Sequence, residues 1–314
     1  MSLYKELIDR GCKPLLRATS DGLVLRLVTS REKGSALAKG AILAAATLAM
    51  VYISGEWLAN APGPRGEGFA WSPWGYLLGL LVPLIIHELG HWFVMRLYRV
   101  PSSIPYLIPA PPLQLGFLGT LGAVINLRWL PPTPGSLALM AVMGPLAGFL
   151  AVIPFAIIGM KASILTEPSA LAGGAAQLQV APALFLALAD IYAPHGDGLI
   201  LLSPLAYASY IVLLVTFLNL MPVAMLDGGH IVRSAVGEAT HRAISQATIL
   251  VLLAASTVYP AFFMFALLAM LIYFLSRGRH PGPAMGETGL GAAGAASILL
   301  YGVLLALTAP IPIG

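Results

Sequence analysis

Seven apolar stretches divide the chain, and their lengths set the expected architecture. Runs at about 36–55, 74–98, 136–159 and 203–222 are each long enough for a membrane span. Residues 244–276 read as two shorter spans turning near Tyr259-Pro260, and a last run covers about 291–309. The polar stretches between them are short. Residues 1–34 are mixed and charged, with Leu23 to Val28 patterned as a short strand and the rest as an interfacial or cytosolic arm. Pro101, Pro105, Pro109, Pro111 and Pro112 exclude a helix after the second run. Residues 113–130 read as two short apolar strands around a glycine-rich turn, a segment whose backbone cannot stay unpaired in lipid. Residues 161–202 form a longer loop in which 177–192 has the pattern of an amphipathic piece lying on the membrane. The pattern predicts an all-α polytopic membrane protein of about six to seven transmembrane helices, with a short membrane-associated β-hairpin or sheet after the second helix.

Composition agrees: of 314 residues, 58% are hydrophobic and only 10% charged, against roughly a quarter charged in soluble domains. The single cysteine, Cys12, cannot form an internal disulfide. No cleavable signal peptide is expected, because the first 34 residues are too polar. The net charge of +4 is modest, and the basic residues gather at the ends of the apolar runs, so no nucleic-acid partner is expected. Lys5, Arg10, Lys13, Arg17, Arg26, Arg31, Lys33 and Lys39 precede or open the first run; Arg96 and Arg99 end the second; Arg233 and Arg242 follow the fourth; Arg277 and Arg279 follow the sixth. With seven spans all of these lie on one side, which puts the N-terminus in the cytosol. No internal repeat is visible, which disfavours an inverted-repeat transporter.

The chemistry is concentrated in one place. His87-Glu88-Leu89-Gly90-His91 is an H-E-x-x-H motif inside an apolar run. Histidines at i and i+4 share one helix face and can grip one metal ion, while the glutamate holds a water as general base. Ionisable groups at membrane depth are costly and mark function. A catalytic zinc usually takes three protein ligands, so a third is needed. Asp227, in Leu226-Asp227-Gly228-Gly229-His230, is the strongest candidate; its competing reading is a helix N-cap. The two glycines after it are expected to free the backbone there. His230 is a rival ligand, or a histidine lying behind the metal site. His195, His241 and His280 read as surface histidines, and Asp190 as interfacial. Asn219 reads equally as a helix–helix hydrogen bond or as part of the site.

Taken together, His87–His91, then Gly144-Pro145-Leu146-Ala147-Gly148, then Asn219 through Pro222 to Leu226-Asp227-Gly228 resemble the site-2 protease family of intramembrane zinc metalloproteases. The resemblance covers about 74–238 and implies one Zn2+ per chain held by His87, His91 and Asp227. It also implies that Glu88 activates water and that Asn219 donates to the developing oxyanion. Ala224 and Met225 stand where the family often has a second proline. The expected organisation is an arm at 1–34, a first span and loop at 35–73, a catalytic membrane core at 74–238 and C-terminal spans at 239–314, with no PDZ or CBS domain. The expected function is hydrolysis of peptide bonds within or near transmembrane segments of membrane proteins, in the lipid bilayer of a prokaryotic cell membrane, at a site nearer the cytosolic side. The alternatives are a membrane zincin that cleaves soluble peptides, and a metal-binding protein or transporter that uses the histidine pair for ion passage.

Overall fold

The computed structural model describes residues 2–19, 22–29, 37–167, 177–286 and 289–313. Arg31 and Lys33, among the basic residues of the arm, and 168–176 of the long loop lie outside them. Ten helices dominate the described residues. Four of these are long and apolar enough to cross a membrane: α2 (Leu37–Ala59), α3 (Pro73–Leu97), α4 (Pro134–Ala162) and α10 (Gly291–Thr308). The other expected spans are α6 (Pro204–Asn219), α8 (Glu238–Ser256) and α9 (Ala261–Leu275). At 16 residues α6 rises about 24 Å, short of the roughly 30 Å hydrocarbon layer. Pro222, three residues beyond Asn219, ends it early.

Helix boundaries follow local chemistry. Ser72 and Ser203 cap α3 and α6 by accepting the backbone N–H three residues on. Thr133 and Ser136 form a reciprocal capping box at the start of α4. Each of these helices has proline in its first turn, where its missing N–H costs nothing.

Helix α4 is the centre of the fold and packs on α3, α6, α10 and the short α7 (Asp227–Ala235). Small residues set its distances. A Cβ on Gly90 of α3 would strike the Met143 carbonyl of α4, and one on Gly159 of α4 would strike the Ala206 backbone of α6. Backbones that approach this closely pack tightly without a hydrophobic drive between helices in lipid. Around this centre, α2, α9 and α10 turn large apolar side chains outward, among them Ile42, Leu271, Phe274 and Leu299.

The β structure differs from the expectation in position. β3 (Tyr106–Pro109) pairs antiparallel with β4 (Thr120–Val124), with a single 3-10 turn at Leu113–Leu115 between them. The first strand thus lies in the proline-rich stretch, upstream of the 113–130 segment expected to hold both strands. Proline excludes helix but is tolerated at strand ends. Gly119, at φ +82°, passes so close to Val51 that a side chain would collide with α2. Ser54 of α2 accepts the Leu113 N–H at 3.0 Å.

The N-terminal arm is a short helix α1 (Ser2–Asp9) and a hairpin of β1 (Cys12–Thr19) and β2 (Gly22–Thr29). It clasps three chain segments at one end of the helices. Asp9 pairs with Arg99 after α3, the Tyr4 hydroxyl donates to Leu130 O before α4, and Leu16 N donates to Ala284 O before α10. The opposite end carries β5 (Ile164–Thr166) paired with β7 (Leu199–Leu201), and β6 (Val180–Pro182) paired with β8 (Pro310–Pro312). Between β6 and β7, α5 (Ala183–Tyr192) falls within the expected amphipathic piece.

Candidate metal centre

His87 and His91 sit one turn apart on α3, both buried, with their Nε2 atoms 3.1 Å apart. The carboxylate of Asp227 straddles them: Oδ2 is 3.2 Å from His87 Nε2 and Oδ1 is 3.3 Å from His91 Nε2. His91 Nδ1 donates to the Met140 carbonyl of α4 at 2.8 Å. That bond commits the proton to Nδ1 and leaves the Nε2 lone pair facing the carboxylate. Donors bound about 2.0–2.1 Å from a four-coordinate divalent ion stand about 3.3 Å apart, so the three separations match those of ligands around one ion. Glu88 offers a carboxylate oxygen within 4.8 Å of both histidine nitrogens.

The glycines of α4 explain why the rings fit. A Cβ on Gly144 would overlap the His91 imidazole, and one on Gly148 would lie 2.9 Å from His87 Cβ. Gly144 and Gly148 are themselves one turn apart, in mirror register with the histidines. They form the recess that holds the two rings. The i, i+4 spacing of both pairs was the signal.

Asp227 arrives from a different route. After Asn219 ends α6, the chain turns through Pro222 and Ala224, the latter at φ +49°. Proline cannot adopt that angle, so the alanine suits the turn that this chain makes. Ser245 Oγ accepts the Ala224 N–H at 3.1 Å and pins the turn to α8. Asp227 is the first residue of α7, after Leu226 in the N-cap position, and caps nothing with its side chain. Gly228 and Gly229 have ordinary helical angles, which corrects the expectation that they free the backbone. Their role is proximity: a Cβ on Gly228 would lie 2.6 Å from Met221 O, and one on Gly229 2.8 Å from Val223 O. Asn219 is half-buried at the end of α6, and its amide makes no hydrogen bond to the protein among the described residues.

The other histidines divide. His195 is exposed, as expected. His241 and His280 are fully buried, contrary to the surface placement read from nearby arginines. Helix α7 and the 280–284 segment cover them. The rings of His230 and His280 meet edge to face at 4.5 Å, and those of His241 and His280 at 5.4 Å. His230 Nδ1 donates to Leu226 O, and His280 Nδ1 accepts from Gly282 N–H. Burial, then Arg233 and His230, lowers the pKa of His241 from 6.5 to about 4. Burial, then the neighbouring His230, His241 and Arg233, pushes His280 well below the usual range. This second cluster is neutral and contains no carboxylate.

A family model described as peptidase family M50 matches residues 75–267. Among curated proteins, "Probable zinc metalloprotease EGY2, chloroplastic" of Arabidopsis thaliana is 31% identical over 218 residues, 65% of this chain and 35% of that protein. "Probable zinc metalloprotease EGY1, chloroplastic" of the same plant is 29% identical over 168 residues, 51% of this chain and 29% of that one. The protein of the same name in Oryza sativa subsp. japonica is 29% identical over 195 residues, 57% of this chain and 32% of that one. The chain spans about a third of the length of these relatives. Their names are chloroplastic, so they lend no support to a prokaryotic membrane. No solved structure matches.

Proposed function

The chain belongs to peptidase family M50, and from that premise we propose that it is an intramembrane zinc endopeptidase cleaving transmembrane segments of membrane proteins. The observation that carries the reading is the meeting of Asp227 with His87 and His91 at 3.2–3.3 Å. An aspartate and two histidines brought from separate helices into an apolar interior have little reason to converge without a cation. His87, His91 and Asp227 hold one zinc ion. When bound, zinc supplies a Lewis acid that polarises a carbonyl and lowers the pKa of water toward neutrality.

The residues of the chain do the rest. Glu88 takes a proton from the attacking water and returns it to the departing amide nitrogen as the C–N bond breaks. The Asn219 amide, with no protein acceptor among the described residues, donates to the carbonyl oxygen as charge develops there. A transmembrane helix shields its own carbonyls, so the substrate is unwound before cleavage. β4 has no further strand beyond it among the described residues, and it accepts the extended segment by backbone pairing. The chain is multi-pass, with the basic ends of its helices and the N-terminal arm on the cytosolic side.

The test uses purified protein in lipid nanodiscs with a model transmembrane substrate. Wild type is expected to carry one zinc and to cleave. Glu88→Gln is expected to keep zinc and lose cleavage, and Asp227→Ala to lose both. Full cleavage by Glu88→Gln with zinc bound would overturn the assignment of the base. Cleavage of soluble peptides alone would overturn the intramembrane substrate class.

A further inference from the structure

A cavity of about 370 Å³ opens beside the metal centre, between the N-terminal arm and the first turn of α7. Its walls come from five separate segments: Leu15 and Arg17 of β1, residues 127–131 after β4 with Arg128 among them, Leu137 at the start of α4, Met225 and His230 on either side of Asp227, and residues 280–281. The lining is largely apolar, and no helix of the bundle fills it.

Position gives the cavity its meaning. The chain leaves β4, which packs against α3, at Val124; Ile125 follows, and two residues later Leu127 contributes to the wall. Two residues of extended chain span roughly 6.6 Å and return the side chain to the same face. An extended substrate following β4 along α3 therefore carries a side chain close to its scissile bond toward this space. Met225 and His230 bring the opposite wall equally near, since each is within three residues of Asp227.

We infer that this cavity is a side-chain subsite of the proteolytic centre, taking one large apolar residue, of leucine or phenylalanine type, on the arm side of the scissile bond. The inference rests on the endopeptidase reading above. It assigns the arm a part in selection: Leu15 closes the cavity from outside, held there by the bond from Leu16 N to Ala284 O and by the Arg17 guanidinium on Pro281 O and Pro283 O. Burying one such side chain discriminates against alanine by roughly 10- to 200-fold.

Two measurements on one substrate test it. First, each residue near the cleavage site is changed in turn to alanine, leucine or phenylalanine, and kcat/KM is measured with wild type, Leu127→Trp and Leu15→Trp. One position should show a tenfold or greater preference for leucine or phenylalanine, and both tryptophan variants should erase that preference by filling the cavity from opposite walls. Second, a photoreactive phenylalanine analogue at that position should cross-link to Leu127 or Met225 in Glu88→Gln protein, which binds without cleaving. Wild-type cleavage with an unchanged preference in both variants, or cross-links only elsewhere, would overturn the subsite and leave the endopeptidase reading standing. Failure of wild type to cleave any substrate would instead overturn the endopeptidase reading, and the subsite with it.

Discussion

Asp227 and His230, one turn apart on α7, each join a group of buried histidines, and the surroundings of the two groups are opposite. His87 and His91 share a carboxylate from Asp227, whereas His241 and His280 lie in the field of the Arg233 guanidinium, and His280 packs edge to face on His230. Imidazole is a ligand or a filler according to what stands beside it. A carboxylate at 3.2–3.3 Å attracts a divalent cation, whereas an adjacent arginine repels one and holds the rings neutral. The first group is therefore the proposed metal centre, and the second is a packed joint between α7, α8 and the 280–284 segment.

The largest effect should come from removing the feature that separates the two groups. Asp227→Ala should abolish zinc binding, measured by metal analysis, and take cleavage below detection. His241→Phe should leave zinc stoichiometry unchanged. Metal loss in His241→Phe, or zinc retained in Asp227→Ala, would break the contrast. Glu88→Gln should lower cleavage by roughly 10²- to 10⁴-fold with zinc still bound.

A smaller effect should follow from closing the recess behind the rings. Gly144→Ala must displace His91 or part α3 from α4. It should weaken zinc affinity by about 10- to 100-fold, the usual size for disturbing a ligand's support, as read by chelator competition. The smallest effect concerns pH. His241 has its folded pKa lowered from 6.5 to about 4, so the unfolded chain takes up the proton first as pH falls. Its contribution to stability is complete above pH 6.5 and is lost as pH falls through about 4. Thermal unfolding in detergent should be flat above neutrality and fall across this interval, and His241→Phe should flatten the fall. An unchanged slope in that variant would remove His241 as its source.

Much of this was legible before any coordinates. Apolar runs located the helices because lipid imposes a length and a composition on a spanning segment. The H-E-x-x-H spacing put both imidazoles on one face of α3, and Asp227 was conspicuous as a carboxylate among apolar residues. What escaped was set by contact at a distance. His241 and His280 were read as surface residues because arginines flank them in sequence, yet the cover over them comes from α7 and the 280–284 segment. The first strand of the β3–β4 pair was missed because its prolines argue only against helix. Gly228 and Gly229 were credited with backbone freedom when their constraint is the carbonyls packed against them.

The bond from His91 Nδ1 to the Met140 carbonyl, together with glycines that leave no slack between α3 and α4, has a mechanical corollary. A slip of even one ångström along that seam would swing a lone pair off its target. Whatever motion admits a bulky polypeptide must therefore spare the seam, and the hinge falls to the outer helices: α2 with the strands leaning on it, or the α8–α9 pair.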